Sequence, residues 1–178
     1  MENNPYNFVF IGRSGCGKGT QAELLKKLLE EKSGAGSVLY IYTGNHLREL
    51  KNHVEFLTAR LLDEKILKKG EKAPDSLAVW AYTTELIHGV REDNHVIIDG
   101  SPRTVLEAKA LDEMFDFYER ANVFHIHLKT SAENVSERML KRGRFDDNSE
   151  NIKNRMSYYE KYVVPAIEYF EKDSKHKF

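Results

Sequence analysis

The segment Gly12-Arg13-Ser14-Gly15-Cys16-Gly17-Lys18-Gly19-Thr20 constrains this chain more than any other, because of what stands on either side of it. An apolar, β-rich run (residues 7–11) precedes it, and a helical pattern carrying Leu25, Leu28 and Leu29 follows. Glycines at such a junction let the backbone wrap an anion with its N–H groups turned inward. The helix N-terminus adds partial positive charge, and a lysine at position 18 can reach the β- and γ-phosphates of a nucleotide. A glycine-rich turn can also be no more than a tight connection. Strand, glycines, lysine and helix in this order make the segment a P-loop. Gly19 stands where Ser or Thr is usual, with Thr20 one place later.

Three further β-rich runs, at 38–42, 95–99 and 123–128, alternate with helical patterns, one of them marked by Leu111, Met114, Phe115 and Tyr118. Strands alternating with helices imply an α/β fold with a parallel sheet, right-handed crossovers and flanking helices. Gly12, Thr43 and Asp99 all fall at strand ends, so the expected strand order is 2-3-1-4, with ligands at the C-terminal edge. Between the second and third strands lie about fifty residues, far more than one crossover needs. They read as short helices near 47–50, 54–67 and 75–89, a helical insertion spanning 44–90. Ile152, Met156, Tyr159, Val163 and Phe170 mark a long final helix that Pro165 would bend.

A chain of 178 residues fits one domain, 1–178, large enough to fold without disulfides or a structural metal. Its formal net charge of −1 gives no long-range pull toward nucleic acid or acidic lipid, so anion binding must come from local clusters. The one cysteine, Cys16, excludes an internal disulfide and a four-cysteine zinc site, and is best read as filling its place in the loop. No apolar run approaches the roughly 20 residues of a membrane span, and residues 1–7 lack the pattern of a signal peptide. The expectation is a cytoplasmic monomer with no nucleic-acid or membrane partner.

The third β-rich run, His95-Val96-Ile97-Ile98-Asp99, ends in a carboxylate that, beside a P-loop, can hold Mg²⁺ through water. Arg138 and Arg142 share a helix face, followed by Arg144 in a short loop and Arg155 in the final helix. Phosphoryl transfer spreads negative charge over the moving group, so convergent arginines suit it. Arbitrary arginines at this spacing would instead form a solvated face, with pairs such as Glu137 and Lys141. Here residues 138–150 can close as a short lid that excludes water. His125 and His127 lie two apart on a strand without a third metal ligand in the sequence, and Trp80 reads as a packing residue of the insertion.

With these residues in view, the chain resembles the adenylate kinase family of nucleoside monophosphate kinases from residue 8 to about residue 170. Residues 12–21 resemble a P-loop ending Gly-Lys-Gly-Thr-Gln. Tyr42-Thr43-Gly44-Asn45-His46-Leu47-Arg48 resembles Ser-Thr-Gly-Asp-x-Leu-Arg; Asp99-Gly100-Ser101-Pro102-Arg103-Thr104 resembles Asp-Gly-Phe-Pro-Arg-Thr; and Arg142-Gly143-Arg144-Phe145-Asp146-Asp147-Asn148 resembles the short-lid form. The resemblance implies that Gly12, Arg13, Ser14, Gly15, Cys16, Gly17, Lys18, Gly19 and Thr20 hold the ATP phosphates, with Arg138 stacked on the ATP adenine. It gives Arg142 to ATP as well, and groups Arg142, Arg144 and Arg155 around the transferred group with Lys18 and Arg103. Arg48 and Arg103 would hold the acceptor phosphate, and Thr43, Ala73, Gly100 and Glu107 would line the acceptor base. Asp99 would reach Mg²⁺ through water, and Asp146 and Asp147 would pair with arginines on lid closure. The implied reaction is ATP + AMP = 2 ADP, and no general base is needed because the attacking group is already a phosphate oxygen.

Four features depart from the family pattern. Ser101 replaces Phe, Asn45 replaces Asp, and Glu107 replaces the Gln that reads adenine. The lid has no long insertion and no metal-binding cysteines, so zinc is not expected. The family's fifth strand, adenine-touching loop and closing helix have no counterpart before Phe178, which leads one to expect a bare outer edge on the fourth strand and weakened ATP binding. Other readings of the same residues are GMP or another nucleotide as acceptor, a P-loop kinase acting on a metabolite hydroxyl, and a nucleotide-binding protein with weak turnover.

Overall fold

The computed structural model describes residues 4–144 and 147–178. Four parallel strands, β1 (Tyr6–Gly12), β2 (Val38–Tyr42), β3 (His95–Asp99) and β4 (Asn122–Leu128), form one sheet of order β2-β3-β1-β4, as expected. Every residue of β3 is buried, the pattern of a parallel strand covered on both faces. Alternation along β1 supplies two cores. Val9 joins Ile41, Val96, Ile98, Tyr82, Leu86, Leu111 and Phe115 on one face, while Phe10 joins Ala22, Leu29, Val38 and Ile97 on the other.

Helices α1 (Lys18–Ser33), α4 (Asp75–Gly89) and α5 (Val105–Phe117) cover the sheet. Thr104 caps α5 by accepting from the Glu107 N–H, and Ser131 and Asn148 cap α6 (Ala132–Arg142) and α7 (Ser149–Tyr158) in the same way. Gly143, at φ 65°, closes α6 in the left-handed conformation. Between β2 and α4 stand α2 (Thr43–Leu50) and α3 (Leu57–Leu62), which share a small core of Leu47, Leu62, Leu67, Ala73 and Ala81.

Four local expectations need correction. The helix expected over 54–67 begins only at Leu57 and widens into a π turn at Asp63–Leu67. Successive turn bonds, Asn52 N–H to Glu49 O and Phe56 N–H to His53 O, carry the chain before it, where Val54 is 83% exposed and has little apolar contact to hold a helix. The final helix is interrupted rather than merely bent: a π turn at Tyr159–Val163 separates α7 from α8 (Val164–Lys172). Pro165, which has no N–H to donate, sits in the first turn of α8. Trp80 is 44% exposed and so is not a packing residue of the insertion. The outer edge of β4 is not bare, because Lys177 donates to Val123 O and accepts from His125 N–H, a parallel bridge opposite Phe124. His125 stacks on Phe170 and His127 bonds the Tyr159 hydroxyl, so both serve packing. Among the described residues, no helix is long and apolar enough to cross a membrane.

Candidate active site

Backbone conformation alone explains the glycines after β1. Gly12, at φ 148°, would carry a Cβ 2.7 Å from Leu128 O, and Gly15, at φ 82°, one 2.9 Å from Val135 O. Both neighbours are main chain and cannot step aside. Gly17 precedes α1 in the left-handed region, and its side-chain-free position leaves the first N–H groups of α1 without a side-chain cap. Lys18 curls back over the loop, its Nζ donating to Gly12 O and Arg13 O, each at 2.8 Å. Ser14, Gly15, Gly17, Lys18, Gly19 and Thr20 line a cleft of ≈ 710 Å³, within the usual range for small-molecule sites.

Two loop residues contribute main chain only. Arg13 turns away from the cleft, pairing with Glu160 at 2.5 Å and lying over the Tyr159 ring. Cys16 is buried against Val135, Met139 and Ile152, a filling role.

At the end of β3, Asp99 is 4% exposed. Burial raises its pKa, against the pull of Lys18 and Arg103. The Tyr40 hydroxyl donates to it at 3.4 Å, and a Cβ on Gly19 would come within 3.3 Å of its Oδ2. That near approach explains a glycine directly after Lys18. A single carboxylate beside a phosphate loop suits Mg²⁺, which commonly binds through one or two carboxylates, waters and substrate phosphates. Among the described residues, no three His, Cys, Asp or Glu side chains are grouped to hold a metal on their own.

Lys18, Arg48, Arg103, Arg138, Arg142, Arg144 and Arg155 all line this cleft, against three carboxylates, Glu23, Glu71 and Asp99. In a chain of net charge −1, that concentration is local. The cations come from well-separated parts of the chain, with Arg138 and Arg142 both on α6. Arg48, on α2, donates to Gly44 O at 2.9 Å, and Arg103 donates to Gly100 O at 2.8 Å and to the Tyr158 hydroxyl at 3.2 Å. Arg142 grips Asp147 through two bonds of 2.8 and 2.9 Å, and Arg155 reaches the same carboxylate at 2.6 Å. Burial opposes ionisation of Asp147, yet the two guanidiniums outweigh it and hold its pKa below the ordinary value. Asp146, the other expected lid carboxylate, lies outside the described residues. Arg144 donates to the Tyr42 hydroxyl at 2.9 Å.

On the far side of the cleft, Leu47, Ile66, Leu67, Gly70 and Ala73 form an apolar wall beside Gly100. The insertion meets α7 here: Asn154 donates to Lys69 O at 2.8 Å, and Gly70 lies so near Asn151 that a Cβ would fall 2.7 Å from its main chain. Thr43 is 2% exposed, and its hydroxyl has no hydrogen-bond partner among the described residues. Glu107 does not line the cleft wall. It is fully buried, its Oε2 accepting from Arg103 N–H at 2.8 Å while Oε1 lacks a partner among the described residues, and burial raises its pKa. Sequence reasoning assigned nothing to three phenols on the cleft wall, Tyr40, Tyr42 and Tyr158. Tyrosines at strand and helix ends read as β formers and core residues, and only the fold shows which way their hydroxyls point.

The parallel sheet, the glycine loop at the end of β1 and a cationic cleft over the strands' C-terminal edge define an α/β protein of the P-loop class. The adenylate kinase family model matches residues 10–175, nearly the whole chain. The adenylate kinase of Prochlorococcus marinus (strain MIT 9301) is 33% identical over 166 residues, covering 93% of this chain and 84% of that one. That of Parabacteroides distasonis is 33% identical over 175 residues, covering 96% and 86%, and that of Leptospira biflexa 32% over 169 residues, covering 92% and 84%. The chain belongs to the adenylate kinase family and is a phosphotransferase of the nucleoside monophosphate kinase kind.

Proposed function

We propose that this protein moves the γ-phosphoryl group of Mg·ATP onto AMP, giving two ADP. The observation that carries the reading is the convergence of Lys18 and six arginines from five separate segments on one cleft. Transfer between two phosphates needs positioning and positive charge rather than a base. Gly12 to Thr20 cradle the ATP phosphates through main-chain N–H groups, and Lys18 swings from its loop carbonyls to the β- and γ-oxygens. Arg138, which lines the cleft, covers the adenine in this reading. Arg142, Arg144 and Arg155 surround the moving group, with residues 138–150 acting as a lid and Asp147 fixing two of its arginines. Arg48 and Arg103 hold the acceptor phosphate, delivered through the insertion, 44–90. Asp99 would hold Mg²⁺ through water, and the ion would supply positive charge against the nucleotide phosphates.

For the acceptor base the reading is AMP, met by Glu107 in its neutral form once that side chain turns from the Arg103 N–H into the cleft. An ionised carboxylate offers acceptors only, whereas the protonated acid offers both a donor and an acceptor, as a Gln does. Burial, which raises the Glu107 pKa, favours that neutral form. Thr43 and Gly100 would complete the base site, with Ala73 contributing main chain. A monomer without nucleic-acid or membrane partners and a cytoplasmic location complete the proposal.

Rates on AMP and GMP across pH test it in the wild type and in Glu107→Gln. The wild type should prefer AMP, and its KM for AMP should rise with pH as the raised Glu107 pKa is passed. Glu107→Gln should have higher kcat/KM for AMP, no such pH dependence and less activity on GMP. A wild type that prefers GMP at every pH would overturn the AMP assignment.

A further inference from the structure

One cleft group has no part in the reading above. Tyr42 is the last residue of β2, and its ring lies flat against two glycines: a Cβ on Gly44 would fall 3.1 Å from ring carbons Cε2 and Cζ, and one on Gly100 3.3 Å from Cε2. A side chain at either position would press on the ring, so the two glycines give it the place it occupies. Its hydroxyl accepts from Arg144 Nη1 at 2.9 Å and from Arg48 Nη1 at 3.4 Å. Arg144 follows α6 and is 102 residues away in sequence, while Arg48 belongs to α2. The Arg144 guanidinium also stands 5.9 Å from the ring centroid.

Two like charges repel, and a shared acceptor fixed between them offsets part of that cost. Each arginine also carries about 2 kcal/mol of rotamer entropy that an anchoring contact removes in advance. We propose that Tyr42 is a positioning residue for the acceptor phosphate: its hydroxyl holds Arg144 beside Arg48, so that an incoming nucleoside monophosphate meets an assembled pair of guanidiniums and couples acceptor binding to the lid. The electrostatics agree with the geometry, since burial resists ionisation of the phenol but Arg48 and Arg144 together outweigh it. The inference rests on the proposed function, because it needs an acceptor phosphate at Arg48.

Tyr42→Phe removes the hydroxyl and keeps the ring between the glycines. Steady-state kinetics should show the acceptor KM raised roughly five- to tenfold, the scale of one net hydrogen bond, with ATP KM and the thermal midpoint unchanged. The double-mutant cycle with Arg144→Ala separates positioning from simple packing: if Tyr42 acts through Arg144, adding Tyr42→Phe to Arg144→Ala should raise the acceptor KM by less than it does in the wild type. An unchanged acceptor KM in a folded Tyr42→Phe protein, equal rises in acceptor and ATP KM, or full additivity in the cycle would each overturn the inference. A wild type that does not turn over nucleoside monophosphates would instead overturn the proposed function.

Discussion

The two walls of the cleft are built on different principles. On the P-loop side the controlling contacts are main chain to main chain: Gly12 against Leu128 O and Gly15 against Val135 O, at distances no other residue could share. On the side of the insertion they are side-chain tips: a phenol beside Gly44 and Gly100 whose hydroxyl accepts from Arg48 and Arg144, with the buried Thr43 and Glu107 side chains behind the lining. A wall made of backbone can change little without breaking. A wall made of side chains can be refitted one residue at a time, and the departure Asn45 lines that side.

The largest expected effect should be shared by both walls. Replacing Lys18 with Met, or Arg103 with Met, should lower turnover by a factor of roughly 10² or more, since a preorganised charge contact to the transition state is lost. Circular dichroism and a thermal midpoint would confirm that the fold survives. A folded variant of either kind that turns over normally would remove that residue from the mechanism and make one wall dispensable.

Asp147 tests the link between the walls, because it binds both Arg142 and Arg155. Asp147→Asn should lower stability by roughly 1.5–3 kcal/mol, the range for hydrogen bonds to charged groups, and lower kcat about tenfold as the two guanidiniums lose their common anchor. Its pKa is depressed in the folded protein, so the stabilisation is present above the unfolded carboxylate value of about 3.9 and is lost as pH falls through the lower folded value. The stability gap between wild type and variant should therefore be full at pH 7 and shrink below about pH 4. A gap that does not change with pH would mean that the carboxylate matters through packing rather than charge.

Glu107→Gln should give the smallest change and the opposite sign. A buried carboxyl group with a raised pKa costs stability above its unfolded value of about 4.3, so removing the charge should stabilise by roughly 1 kcal/mol at neutral pH, the scale of one buried polar mismatch. That gain should vanish in acid, where both proteins are neutral at this position. Denaturant titrations at pH 7 and pH 4 measure it. A variant less stable than wild type at pH 7 would show that the ionised carboxylate is a structural partner of the Arg103 main chain.

The same division explains what could be read in the sequence. Gly12, Gly15 and Gly17 announce themselves because their conformations are open to almost no other residue, and the apolar Val96 to Ile98 before Asp99 announce a strand. From such elements the strand order followed, and the structure has it. Residues 54–67 misled because Val54 and Leu57 fit a helical spacing that nothing in the fold rewards with burial. The π turn before Pro165, the Lys177 bridge to β4 and the turning of Arg13 toward Glu160 depend on contacts between segments far apart in sequence. Tyr42, Tyr158 and the burial of Glu107 belong to that class, so the acceptor wall was legible as a motif and not as a geometry.

The most direct test of phosphoryl transfer across this cleft follows the label from ATP carrying a radioactive γ-phosphoryl group in the presence of AMP. The account predicts that the label appears in the β-position of newly formed ADP, with two ADP made for each AMP consumed and none formed without an acceptor. Label released as inorganic phosphate at the same rate with and without AMP, from a protein that binds ATP, would contradict it.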